Sequence, residues 1–67
     1  MEIMVNGKAR TIAGLVPNIA ALIRELGLEG KRVAVERNGE IVRKSRYAET
    51  RLSRGDRLEI VAAVGGG

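Results

Sequence analysis

The sequence contains no cysteine and no histidine. The first absence excludes a disulfide framework and a thiolate metal site, and the second removes the commonest imidazole base and metal ligand. No metal site and no catalysis by this chain alone are therefore expected. Phenylalanine and tryptophan are also absent, which leaves Tyr47 as the only aromatic residue. Single-strand nucleic-acid binders stack bases on aromatic side chains, so this scarcity argues against nucleic acid as a partner. No apolar run approaches the ~20 residues that span a bilayer, and the N-terminus has neither the basic nor the apolar region of a secretory leader. A soluble cytoplasmic protein that does not engage membranes is expected.

What remains is enough for one domain. A chain of 67 residues lies near the lower limit for folding without staples, because it buries only about 60% of the surface it exposes when unfolded. Twelve Lys and Arg stand against eight Asp and Glu, a formal charge of +4. Acidic residues are interspersed with the basic ones, which describes a solvated, mixed-charge surface more than a dedicated polyanion site.

Met1, Ile3 and Val5 alternate with Glu2, Met4 and Asn6, a period of two that ends at Asn6-Gly7, a pair suited to a tight hairpin turn. A weaker return strand is expected over Lys8 to Ile12. From Ile19 the period changes. Ile19, Leu22, Ile23 and Leu26 form one helical stripe, Asn18 is placed to cap its start, and Gly27 suits the left-handed residue beyond its end. Leu28 should then pack back on the last turn.

A second hairpin is expected from Val33 and Val35, the turn pair Asn38-Gly39, and Ile41-Val42. The stretch from Arg43 to Ser53 has no sustained period, with one helical turn expected near Ser45 to Ala48 and with Tyr47 and Leu52 as its anchors. Gly55-Asp56 turns the chain into a last strand, Arg57 to Val64. Leu58, Ile60, Ala62 and Val64 share one face of that strand, and Val61 and Ala63 make the other apolar as well. Such a strand is expected at the centre of its sheet or covered by something. Two hairpins, an intervening helix and a central last strand beside the first give an α+β fold. In the order β-β-α-β-β-β it is the β-grasp (ubiquitin-like) arrangement, a mixed sheet with one helix packed across it. The domain is expected to span residues 1–64.

Gly65-Gly66-Gly67 follow directly on that strand. Glycine has no Cβ, so such a tail can extend and pass close to a partner's walls. Gly67 is read as the reacting end of a carrier, its carboxylate the most reachable group the chain owns, with residues 65–67 as a flexible tail.

The order of elements, the segments Val35–Val42 and Leu52–Val61, and the closing Val64-Gly65-Gly66-Gly67 resemble the ThiS family, the small ubiquitin-like sulfur carriers of thiamine biosynthesis. The resemblance extends to the opening Ile3-Met4-Val5-Asn6-Gly7 and to the helix end Glu25-Leu26-Gly27-Leu28. It implies a substrate protein, not an enzyme. In the family the terminal glycine carboxylate is adenylated with ATP by an E1-like adenylyltransferase (ThiF-type). A sulfur donor protein then supplies the sulfur of a thiocarboxylate, which thiazole synthase (ThiG-type) uses for the thiazole ring. Gly67 carries over as the adenylation and thiocarboxylate site, and Gly65 and Gly66 as the tail entering partner active sites. Arg43 departs from the family, whose members often have proline there. No cofactor is expected on this chain. Gly7 and Gly14 lack the spacing of a phosphate loop, so ATP is assigned to the activating partner.

Val61 and Ala63 on the outer sheet face, with Arg57 beside them, are the candidate docking residues, and Lys31 is a further basic candidate for steering. Three alternatives share much of the pattern. The small subunit of molybdopterin synthase has the same fold and diglycine end but is longer and richer in aromatics. Sulfur carriers of other pathways would look nearly the same. A β-grasp RNA- or nucleotide-binding module would use the positive charge yet have no need of a glycine tail. Arg54-Gly55-Asp56 matches an adhesion tripeptide, but here it reads as the turn into the last strand.

Overall fold

Asn6 and Gly7 both take positive φ, 51° and 80°, as do Asn38 and Gly39 at 52° and 86°. Two central residues at positive φ are what a two-residue type I′ hairpin turn requires, and asparagine and glycine adopt them at least cost. Each pair accordingly closes a hairpin. In the computed structural model, which describes residues 1–12 and 16–62, the first hairpin joins β1 (Glu2–Val5) to β2 (Lys8–Thr11) and the second joins β3 (Val33–Arg37) to β4 (Glu40–Val42). Helix α1 (Ile19–Glu25) lies between them in sequence, and β5 (Arg57–Ala62) closes the described part of the chain.

The five strands form one mixed sheet in the order β2-β1-β5-β3-β4. β5 is central, parallel to β1 and antiparallel to β3. This is the expected β-grasp arrangement, with the last strand beside the first. Ile3, Val35, Leu58 and Ile60 point from the sheet into the core, where they meet Ile19, Leu22 and Ile23 of α1. Ile12, Val16 and Leu52 close the core from the connections. Directly opposed residues share a face, so Lys8 and Arg10 lie on the same side as Val5 and Ile3. Charged side chains on that side of an edge strand discourage another chain from pairing with it. This explains why the return strand reads weakly.

Both ends of α1 are capped as the sequence predicts. Asn18 Oδ1 accepts from the Ala21 amide at 2.8 Å. At the other end the Leu28 amide donates to the Ile23 carbonyl at 2.9 Å and the Gly27 amide to the Arg24 carbonyl at 3.0 Å, with Gly27 at φ 75°. This is the Schellman pattern, and Leu28 packs against the core as that motif favours. Several details differ from the sequence reading. β2 ends at Thr11, and Ile12 is buried just beyond it. The helical turn lies at Lys44–Arg46, one residue before the expected place. Ala62 has the parity of Leu58 and Ile60 but is exposed, since it pairs with Val33 at the end of the sheet, where Val33 itself is only half-buried. Ala63 and Val64, expected to complete the strand, lie outside the described residues, as does Gly14.

β5 is held to both hairpin turns by asparagine side chains. Asn6 Oδ1 accepts from the Ile60 amide at 2.7 Å, and its Nδ2 donates to the Ile60 carbonyl at 2.9 Å. The backbone ladder already runs through the Asn6 amide to the Leu58 carbonyl at 2.8 Å. The Asn6 side chain thus serves as one more peptide unit of β1. Asn38 acts similarly at the start of the strand. Its Oδ1 accepts from the Arg57 amide at 2.9 Å, and its own amide donates to the Arg57 carbonyl at 2.8 Å.

Asp56, the residue before β5, is buried at 5% exposure. Its carboxylate accepts from Arg37 Nε at 2.9 Å, the Ser53 amide at 2.7 Å and Asn38 Nδ2 at 3.1 Å. Burial by itself raises such a carboxyl. Hydrogen bonds from Arg37, Ser53 and Asn38, together with the Arg37 charge, outweigh burial and hold Asp56 below its ordinary 3.8. The tripeptide Arg54-Gly55-Asp56 is therefore a turn whose aspartate is consumed internally, not presented.

Replacing Asn6→Gly should separate turn geometry from clamping, because glycine accepts the positive φ but cannot bond to Ile60. Urea unfolding should show a loss of about 1–3 kcal/mol; an unchanged midpoint would remove the clamp from the account. Asp56→Asn should cost about 2–3 kcal/mol at neutral pH, less than a fully buried pair because Arg37 stays 30% exposed. The folded-state pKa is depressed, so the carboxylate's contribution is complete above the unfolded value. It is lost as pH falls through the folded one. The gap between wild type and Asp56→Asn should accordingly narrow below the ordinary carboxylate range, and a gap constant down to strong acid would contradict the assignment.

Candidate functional site

Successive residues of β5 point to opposite faces, and the register fixes which neighbours each meets. Leu58 and Ile60 face the helix, so Arg57, Glu59 and Val61 face outward. Arg57 is exposed and stands beside Met4 of β1. Val61 is 61% exposed and stands beside Ala34 of β3. These two predicted docking residues thus share the outer face, four residues and roughly 13 Å apart along the strand. A strand apolar on both faces is expected to be covered, yet nothing among the described residues covers Val61. Ile41 of β4 lies on the same outer face and is 79% exposed. The sequence reading did not single it out. Its signal was available, because Ile41 falls out of phase with the core-facing Val42 in a three-residue strand.

Lys31, the other basic candidate, is not part of that face. It lies in the connection from α1 to β3, with Arg32, at the rim of a cleft of about 420 Å³. The floor of the cleft is formed by Ile23, Leu28, Val33 and Tyr47. Burial pushes the Tyr47 phenol above its ordinary 10.0. Its hydroxyl stays protonated at neutral pH and donates to the Val33 carbonyl at 3.4 Å. Arg57 lies at the other end of β5 from the residues that approach this cleft, since Ala62, not Arg57, pairs with Val33. The structure therefore separates the two basic positions.

The described part of the last strand ends at Ala62 opposite Val33. Ala63, proposed for docking, and Gly65, Gly66 and Gly67, proposed as tail and reacting end, lie outside the described residues. Among the described residues no group of three or more acidic side chains is placed to hold a metal ion. No helix among them is long and apolar enough to cross a membrane.

Comparison with known proteins agrees with the fold and the sequence pattern. The ThiS family profile matches residues 3–67. The chain is 51% identical to the sulfur carrier protein ThiS of Bacillus subtilis over 49 residues, covering 73% of this chain and 74% of that one. Over all 67 residues it is 48% identical to a thiazole synthase of Paramagnetospirillum magneticum, of which it spans 20% of the length. The crystal structure of a thiamine biosynthesis protein, ThiS, from Geobacter metallireducens superposes with a TM-score of 0.84 at 33% identity, over the whole of both chains. With the element order, the sheet topology and a profile match over nearly its whole length in agreement, the chain belongs to the ThiS family.

Proposed function

We propose that this protein is a sulfur carrier of thiamine biosynthesis whose Gly67 carboxylate is activated and converted to a thiocarboxylate. The observation that supports this most directly is family membership across a chain whose central strand runs out towards three glycines. A carboxylate is a poor electrophile because its oxygen is a poor leaving group. In the proposed first step the Gly67 carboxylate attacks the α-phosphorus of ATP in an E1-like adenylyltransferase, and pyrophosphate leaves. The terminal sulfur of a persulfide on a donor protein then attacks the acyl carbon and displaces AMP. A second thiol attacks the donor-side sulfur to form a disulfide and release the thiocarboxylate, and this carries a nucleophilic sulfur to thiazole synthase.

The roles of this chain's own residues follow. It contributes no catalytic group and binds no cofactor; ATP is held by the activating partner. Gly65 and Gly66 let one rigid body present the same atom in two active sites in turn, because they lack side chains that would meet a partner's walls. Val61 and Arg57 on the outer face, together with Ala63, are assigned to partner docking, and the reaction is assigned to the cytoplasm, where ATP is available. The folded domain is taken to end before the tail, at residue 64.

Intact and C-terminal-fragment mass spectrometry, after incubation with ATP, the adenylyltransferase and a sulfur donor, tests the proposal. A sulfur-for-oxygen gain confined to the Gly67 fragment is expected. The fragment matters because oxidation of Met1 or Met4 gives nearly the same nominal gain. Deleting Gly66 and Gly67 should abolish the gain and leave the urea midpoint unchanged. An unmodified wild-type tail with demonstrably active partners would contradict the proposal.

A further inference from the structure

Glu36 of β3 and Glu59 of β5 stand directly opposite each other on the outer face of the sheet. Both are exposed, and neither takes part in an ion pair among the described residues. Side chains directly opposed on neighbouring strands have Cβ atoms only about 5 Å apart, and like charges in that position destabilise a sheet. Arg57 shares the face one pleat repeat along β5, roughly 7 Å away, and forms no ion pair with Glu59. A chain of net charge +4 thus places two carboxylates side by side at the centre of its sheet with no ion-pair partner among the described residues.

What borders them is apolar. Ile41 lies on the far side of Glu36 in the same cross-strand row, and Val61 with its neighbour Ala34 forms the next row along β5. Ile41 and Val61 are 79% and 61% exposed. The patch therefore has two aliphatic contacts flanking a doubled negative charge. Apolar contacts alone would accept many partners, whereas the carboxylate pair favours a cation between them. A guanidinium suits it best, since its planar fork offers five donors to two acceptor groups.

Resting on the carrier reading above, we infer that this outer face docks thiazole synthase through an arginine or lysine of the synthase seated between Glu36 and Glu59, with Ile41 and Val61 covered by apolar side chains around it. Thiazole synthase is chosen over the adenylating partner for a reason on the sequence side. In the Paramagnetospirillum magneticum thiazole synthase, and in that of Magnetococcus marinus, a stretch similar to this whole chain makes up 20% of the synthase polypeptide. A stretch like this chain held in one polypeptide with a synthase meets that synthase at high effective concentration, which names the synthase as the partner such a surface faces. A cation bound between the opposed carboxylates neutralises the repulsion that their pairing places in the free sheet.

The test is the affinity of the full-length carrier for the thiazole synthase of the same organism, at low and high salt, for wild type, Glu36→Gln, Glu59→Gln and the control Glu49→Gln. Each of the first two variants should bind about tenfold more weakly at low salt and lose much of the salt dependence, while the control binds as wild type. Their urea midpoints should be unchanged or higher, since each substitution relieves the repulsion; a merely structural role would lower them. Wild-type affinity in both variants at both salts would overturn the inference. So would weakened binding to the adenylyltransferase with synthase binding intact. A wild-type carrier that acquires a thiocarboxylate but that the synthase does not bind would overturn the docking inference alone, and one that acquires none would overturn the carrier reading on which it rests.

Discussion

β5 lies between two hairpins that otherwise do not touch each other in the sheet, and the fold depends on its being held from both sides. On one side its pairing with β1 is short, with Met4 opposite Arg57 and Val5 opposite Leu58. Asn6 lengthens that pairing through its side chain to Ile60. On the other side Asn38 fixes the Arg57 backbone, and Asp56 draws in Arg37, Asn38 and Ser53. Parallel pairing between remote segments closes a long loop before any contact rewards it, so it needs specific polar bonds as well as apolar burial. Both turn asparagines supply them from positions that the hairpins already require.

Much of this was legible in the sequence, and the reason is local. The 19-22-23-26 stripe, its caps at Asn18 and Gly27, and the two Asn-Gly turns each draw on neighbours within a few residues, and each appears in the structure where it was expected. The central place of β5 was legible from its doubly apolar end. The second task of Asn6 and Asn38 was not, because a turn asparagine looks the same whether or not its side chain reaches a strand 54 residues away, as Asn6 does, or 19 away, as Asn38 does. The Asp56 to Arg37 pair spans 19 residues and carries no periodic signal. Glu36 and Glu59 were hidden for the same reason: their opposition exists only once β3 and β5 are in register.

The candidate site was legible in part. Arg57 and Val61 share the outer face as expected, but Lys31 belongs to the cleft between α1 and β3, since the helix-to-strand connection carries it away from the sheet. Ile41 joins the outer face through the second hairpin, whose register places it beside Glu36. A clamped central strand gives this face a fixed shape. β5 carries Arg57, Glu59 and Val61 of this outer face along its described length.

Native-state hydrogen exchange of individual amides tests the central place of β5 most directly. The Leu58 and Ile60 amides should exchange only through global unfolding, with protection equal to that of the best-protected amides of α1. Exchange of Ile60 through a lower-energy opening, while α1 stays protected, would show that β5 separates from an otherwise intact fold and would contradict the account.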